Sequence, residues 1–409
     1  MLRKVIPALL LCSLLPRAEA RGYQFDGAIS EEVLRSYLSR SMTLMYLLTG
    51  GGDFDDNVRM MKETGVKFAG RAIHNWGREQ GGEPALPKRL EEARAKAAKI
   101  HAADPEIILQ ACIFEIVSED INKLAVPAWA FEALGMPVEQ RNFRFDAIKY
   151  ENGKGIDQWG RGTCIPDVSR PETKLWFHYL AASYIDIGCE AIHFGQTEIM
   201  NSNDPGNVHW NEVLGRTRAY AKQKARRHFV LCDSHVPNGG LLREGKLLFD
   251  FHSFPLRVEE VAEKPREGQL RIGYKDAIYG RSKGGITPSG WKCEHLPYLV
   301  ELDNYGRSKK PGEAGQGVHW VWGWDEITWF SQQPADYRNQ WLGYAWKWVR
   351  ENDPAGYLQM PGMRCLAGAA DRKSWYTVNR ASAASPDGSG QEDAIREIWR
   401  NDATAEAGK

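Results

Sequence analysis

The chain has 409 residues and carries 53 Lys and Arg against 53 Asp and Glu. So even a balance leaves no basic footprint for nucleic acid. The length allows one large α/β domain with insertions, and no apolar run is long enough to span a bilayer.

The first twenty residues, MLRKVIPALLLCSLLPRAEA, have the form of an export signal. Arg3 and Lys4 precede the apolar run Val5 to Leu15, and Ala18-Glu19-Ala20 reads as a cleavage site. Leu11 stands before Cys12, where a lipoprotein signal needs a small residue. This predicts a signal peptide over 1–20 and a periplasmic or extracellular protein; a buried N-terminal helix is the plainer alternative. Residues 21–41 then lead in, with Ser30 capping a helix over Glu31 to Ser39.

Strand-length apolar runs alternate with helix-period runs through most of the chain. Met42 to Thr49 is the first predicted strand, followed by a helix over Asp55 to Thr64 that Gly65 ends. Val66 to His74 is the second strand. A helix with apolar Leu86, Leu90, Ala93, Ala97 and Ile100 follows it, and the third strand lies within Glu106 to Val117. Ser118 to Pro171 is a long excursion, with a short helix near Trp129 to Leu134; loops of that length usually serve function. Glu172 to Ile187 is a helix, Cys189 to Glu198 the fourth strand and Asn211 to Arg226 a helix. The fifth strand spans His228 to His235, the sixth Leu247 to Phe254, the seventh Pro297 to Asn304 and the eighth Val318 to Trp324. Ala335 to Glu351 reads as a closing helix.

Eight strands, mostly separated by helices, predict a (β/α)8 TIM barrel over 42–352, with a long loop insertion after strand three. Residues 353–409 form a short C-terminal extension packed on the barrel, with a turn at Ser385 to Gly388, a helix over Glu392 to Arg400 and a disordered end. An open doubly wound sheet is the competing topology, but no GxGxxG or P-loop supports it. Cys112, Cys189 and Cys232 sit in apolar runs as small hydrophobes. At most one disulfide is expected, among Cys164, Cys293 and Cys365. No CxxC or Cys/His spacing suggests a metal, and no cofactor is implied.

In such a barrel the chemistry sits where the strands end, and polar residues gather there. Strand two ends with Arg71, His74, Asn75 and Trp76, and strand three with Glu115 and Glu119. Strand four ends with Gln196 and Glu198, and strand five with Asp233 and His235. Strand six carries Asp250 and His252, and strand seven Glu301 and Asp303. Strand eight carries Trp320, Trp322 and Trp324, then Asp325 and Glu326. A buried salt-bridge network would account for some of these, Asp250 and Asp303 above all. It fits the whole set poorly, because the first halves of the same strands are apolar. Ionisable groups confined to one rim describe a lined pocket.

Glu198 and Glu301 could meet across that mouth. Hydrolysis of a glycosidic bond needs such a pair, one carboxyl protonated and the other ionised. On these residues the chain resembles the clan of retaining (β/α)8 glycoside hydrolases with an acid/base Glu ending strand four and a nucleophile Glu ending strand seven. The resemblance implies Glu198 as acid/base and Glu301 as nucleophile. It further implies that Arg71 supports the nucleophile, His252 orients it, and Trp322 or Trp324 floors the sugar. Thr197 stands where the clan has Asn. His74, Trp76, Glu115, Gln196, Asp233, His235 and Asp303 complete the expected carbohydrate site.

Two other readings use the same residues. A divalent-metal sugar isomerase or epimerase would take Glu198, Asp233, His252 and Glu301 as ligands. A non-catalytic glycan-binding barrel would keep the aromatic rim without turnover. Gly50 to Gly52 reads as a flexible loop rather than a phosphate cradle. Gly280 to Gly285 reads as a loop over the mouth, with Arg281 and Lys283 able to meet an acidic sugar. No GxSxG points to a serine hydrolase.

Overall fold

The computed structural model describes residues 22–77, 86–317, 319–371 and 373–407, so the expected signal peptide and the extreme C-terminus lie outside the described residues. The architecture is mixed α/β. In chain order the elements that position the site are α1 (Glu31–Leu38), β1 (Ser41–Leu44), α2 (Phe54–Thr64), β2 (Phe68–His74), α3 (Leu86–Ala103), β3 (Ile108–Cys112), α4 (Pro171–Asp186), β4 (Ala191–His193), α5 (Val208–Lys224), β5 (Leu231–Asp233), β6 (His252–Pro255), β7 (Tyr298–Glu301), α6 (Glu326–Ser331), α7 (Ala335–Asn352), β8 (Gly356–Leu358, continuing past Gln359 as Met360–Cys365), β9 (Trp375–Thr377) and α8 (Glu392–Ala407).

Strands β1 to β5 pair in parallel, each with its successor. Between β5 and β6 the contact is looser. It consists of a parallel bridge from His235 to Ser253 and two backbone bonds, Asp250 N–H to Cys232 O at 2.8 Å and Ser253 N–H to Ser234 O at 3.1 Å. Strand β6 pairs with β7, and β7 with the first half of β8. The second half of β8 pairs with β1. Followed from neighbour to neighbour, these parallel contacts return to β1.

Local chemistry sets the ends of the helices. The Ser30 hydroxyl accepts from Val33 N–H and starts α1, as expected. Gly65 closes α2 in the left-handed region at φ +84°. Leu34, Tyr37 and Leu38 of α1 pack with Phe68, Ile108, Ala191, Leu231, Leu299 and Tyr357, which belong to the strands' N-terminal halves. This helix plugs the interior at that end.

The eighth strand is a correction. Residues 319–324 form turns rather than a strand, with Trp322 at φ +51° and Gly323 at φ +78°. The eighth parallel position belongs to Gly356–Cys365, so the sheet extends past residue 352. The helix expected to close the domain, α7, instead precedes this strand, and α8 lies against α7 and α2. The loop Gly280 to Gly285 is also corrected. Gly280 lines a separate cavity with Glu31, Arg35 and Asp353, near the N-terminal strand ends, and not the mouth. Cys164, Cys293 and Cys365 are all free thiols, so the one admitted disulfide does not form.

Candidate active site

A cavity of about 480 Å³ opens at the C-terminal ends of the strands. Residues at or just beyond seven of the eight strand ends line it, all but β6 contributing. Tyr46 follows β1; Arg71, His74 and Trp76 come from the end of β2; Phe114 and Glu115 follow β3. His193 and Gln196 come from the end of β4 and His235 from beyond β5. Asp303 and Tyr305 follow β7, and Cys365 ends β8. Trp159 reaches the cavity from the long excursion, and Asp325 from the start of α6.

The electrostatic centre is two carboxylates and two guanidiniums. Arg71 donates from Nη2 to Glu301 Oε1, and Arg364 donates from Nη1 to Glu301 Oε2. Thr43 Oγ1 adds a bond to Oε2 at 2.9 Å. Glu301 is buried, and it does not line the cavity. Asp303, two residues further along, does. Arg364 Nη2 lies 3.2 Å from Asp303 Oδ1 and Arg71 Nη2 lies 3.8 Å from it. Burial alone would raise both carboxyl pKa values. The two arginines outweigh it: Asp303 is lowered to about 2, and Glu301 is also held below its ordinary value.

Backbone strain aims Arg71. It sits at φ +57°, rare for a residue with a side chain, where the β2–β3 register breaks between Ala69 and Ile73. Its N–H donates to Gln110 Oε1 at 3.1 Å. At the adjacent Gly70 a Cβ would stand 2.2 Å from Gln359 Nε2, so a side chain there would displace that buried amide.

Glu115, buried on the opposite wall, accepts from Gln196 at both oxygens: Oε2 from the backbone N–H at 3.0 Å, Oε1 from Nε2 at 2.7 Å. Asp325 is the N-cap of α6 and accepts from Thr328 N–H at 2.9 Å. Its other oxygen takes Gly306 N–H at 2.9 Å and Tyr305 N–H at 3.2 Å. Burial lifts its pKa to about 6. His74 and His235 are driven down, chiefly by burial, to about 3 and about 4, so both are neutral near pH 7.

An arc of rings borders the cavity, and all of its members but Trp375 line it. Trp375 meets Tyr46 at 6.0 Å, Tyr46 stacks on His74 at 4.2 Å, and His74 meets Phe114 at 5.2 Å. Phe114 meets Trp76 at 5.1 Å, and Trp76 meets Trp159 at 5.8 Å. Trp76 and Trp159 remain exposed.

Several expected site residues are therefore together: Arg71, His74, Trp76, Glu115, Gln196, His235 and Asp303. The others are not. Glu198 is in the short helix Thr197–Met200, where its carboxylate binds Asn238, with Oε1 3.1 Å from the backbone N–H and Oε2 on the side-chain amide. It does not line the cavity, and Glu301 lies beneath the wall, so this pair does not face a common space. His252 cannot orient Glu301. In the β6–β7 register His252 pairs with Tyr298 and Pro255 with Glu301, and the His252 ring bonds Ser282 Oγ at 3.0 Å. Trp322 is held away by its Nε1–H to Glu267 O at 2.8 Å and its N–H to Glu260 Oε1 at 2.5 Å. Trp324 is buried outside the cavity, so neither tryptophan floors it. Asp233 is buried behind the wall, bonded to His193, Gln110 and Ser253. The four metal ligands of the isomerase reading thus each have separate partners. Among the described residues no group of three or more His, Cys, Asp or Glu side chains is arranged to hold a metal ion.

Sequence reasoning missed Arg364, His193 and Trp159. Arg364 lies on the strand that was not recognised. His193 reads as an interior strand residue, and its signal is the Asp at the matching position of the next strand. Trp159 lies in the long excursion, whose length was its only signal.

No family model matches the sequence, and no curated protein matches it. Among solved structures, the chain is similar to an alpha-galactosidase from Thermus thermophilus, at 14% identity and a TM-score of 0.29. That alignment covers 50% of this chain and 42% of the other, so this chain spans about two fifths of that enzyme. It is similar to a debranching enzyme from Nostoc punctiforme at 11% identity, covering 94% and 76% with a TM-score of 0.44. It is also similar to endo-glycoceramidase II from Rhodococcus sp. at 13% identity, covering 87% and 78% with a TM-score of 0.40.

Proposed function

We propose that this chain is an exported glycoside hydrolase on a (β/α)8 barrel that cleaves an oligo- or polysaccharide with retention of configuration. The observation that carries this reading is Asp303. It is an ionised carboxylate, held by Arg364 and Arg71, facing a cavity whose opposite side is a run of aromatic rings. Cleavage of a glycosidic bond passes through an oxocarbenium-like state that a fixed anion stabilises or attacks. Aromatic rings present flat apolar surface, and a pyranose face is apolar on its C–H side.

In this reading Asp303 takes the nucleophile's place expected of Glu301, and Glu301 instead anchors the arginines. Among the described residues, the acid half of a two-carboxylate scheme finds no free carboxyl on the wall. Both oxygens of Glu115 are occupied by Gln196, and both of Asp325 by backbone N–H groups.

The test is mass-spectrometric product analysis of the chain with an oligosaccharide panel, with and without EDTA. Shortened glycans, unaffected by chelation and by Glu198→Gln but lost in Asp303→Asn, support the assignment. Loss in Glu198→Gln with Asp303→Asn still active would return it to Glu198 and Glu301. Rearranged sugars lost with EDTA would support the isomerase, and binding without turnover would support the glycan-binding barrel.

A further inference from the structure

We propose that His193, fixed by Asp233, is the acid/base of this cavity in place of a second carboxylate. The inference rests on the glycosidase reading of the same site. His193 ends β4 and Asp233 ends β5, and these residues are register partners. His193 Nδ1 lies 2.7 Å from Asp233 Oδ2. Asp233 is fully buried, and its carboxylate also accepts from Gln110 Nε2 at 2.7 Å and Ser253 Oγ at 2.8 Å.

An ionised carboxylate only accepts, so the bond assigns the proton to His193 Nδ1. Ser253 Oγ, 3.3 Å from Nδ1, spends its own proton on Asp233 and can accept from the same N–H. Nε2 then carries the exchangeable site, and among the described residues nothing hydrogen-bonds it. His193 lines the cavity, with its ring edge-on to Phe114 at 5.7 Å. Two other cavity histidines lie within electrostatic reach, His74 from β2 and His235 from beyond β5. Among the described residues neither has a carboxylate hydrogen-bond partner, and burial keeps both neutral. Of the three, His193 is the one hydrogen-bonded to a buried carboxylate among the described residues.

The proton cycle balances. In the first step the imidazolium Nε2–H passes its proton to the leaving glycosidic oxygen as that oxygen's bond to the anomeric carbon breaks. An Asp303 oxygen bonds the same carbon, and the leaving sugar departs as an alcohol. In the second step water bonds the anomeric carbon, and the ester bond breaks with its electron pair returning to Asp303. The water's proton goes to Nε2, which restores the imidazolium. Asp233 keeps its bond to Nδ1–H throughout and acts as a positioning residue.

The test joins one measurement that needs no substrate to one that does. In full-length protein labelled with ¹⁵N-histidine, neutral His193 is expected in the Nδ1–H form; an Nε2–H form overturns the proposal. On any cleaved glycan, His193→Gln, which keeps a donor for Asp233, should lower kcat by roughly 100-fold or more and remove the alkaline limb of its pH profile. Imidazole should restore part of the activity of His193→Ala. Asp233→Asn should move the alkaline limb to lower pH with KM little changed. Cleavage that survives His193→Gln overturns the acid/base role alone. A wild-type chain that cleaves nothing overturns the glycosidase reading and this role together.

Discussion

Arg364 Nη2 stands 3.2 Å from Asp303 Oδ1, while Nη1 of the same guanidinium binds the buried Glu301. One cation thus spans a carboxylate that faces the cavity and one that does not. Its planar fork suits this, and a lysine would offer a single point of charge. Arg364→Ala leaves the buried Glu301 and the half-buried Asp303 with Arg71 as the one arginine still paired to both, and is expected to destabilise the fold by about 3–5 kcal/mol. Arg364→Lys should recover part of that. Urea denaturation measures both; a loss under about 1 kcal/mol for the alanine variant would mean that the network does not hold the C-terminal strand ends together.

The same network predicts acid sensitivity. Asp303 titrates at about 2 in the folded chain, against an ordinary 3.8. Between these values the unfolded chain binds a proton that the folded chain does not, so stability rises with pH. The contribution is fully present above about pH 4 and is lost as pH falls toward 2. Asp303→Asn removes the titration. Its urea midpoint should change less than that of the wild type between pH 5 and pH 2.5, and parallel curves would contradict the assignment.

Glu326 has the opposite sign. It is buried; Oε1 accepts from Arg257 Nη1 at 3.3 Å, and among the described residues Oε2 has no hydrogen-bond partner. Burial raises its pKa from 4.5 to about 8. Between these values the folded chain keeps a proton that the unfolded chain loses, so stability falls as pH rises. Glu326→Gln should flatten this alkaline loss, which is on the order of a few kcal/mol for a shift of that size. Arg257 keeps its other partner, Asp276, at 2.7 Å. Thermal melts at pH 5 and pH 8 check the sign; a variant that loses as much as the wild type would refute it.

What could be read from the sequence depended on whether a residue's surroundings were local. Arg71, Gln196 and Asp303 were legible because each interrupts an apolar run where a strand ends. The eighth strand was not. "HWVWGW" alternates as a strand should, yet Trp322 and Gly323 have positive φ. The real strand, "GYLQMPGMRC", contains Pro361 and Gly362, which ordinarily break strands. They are accommodated at a register shift against β1 between Thr43 and Leu44. A Cβ on Gly362 would meet Met42 and Leu44 side chains at 2.6 Å. Missing that strand hid Arg364 and drew attention to Trp322 and Trp324. Glu198 misled for another reason: β4 ends at His193, so the chain has already turned into a helix when it reaches Glu198.

That turn yields the last prediction. Gly195 sits at φ +53°, and a Cβ there would lie 2.2 Å from Glu115 Oε2 and 3.0 Å from Glu115 N. Glycine is needed twice, for the left-handed backbone and for the close approach. Gly195→Ala should therefore push the Glu115 carboxylate from its seat on Gln196, at a loss of roughly 1–3 kcal/mol. If Glu115 serves sugar binding and His193 carries the proton, the variant's KM should rise roughly tenfold while kcat changes little, the pattern of lost uniform binding. A kcat that collapses at unchanged KM would place Glu115 itself in the chemical step.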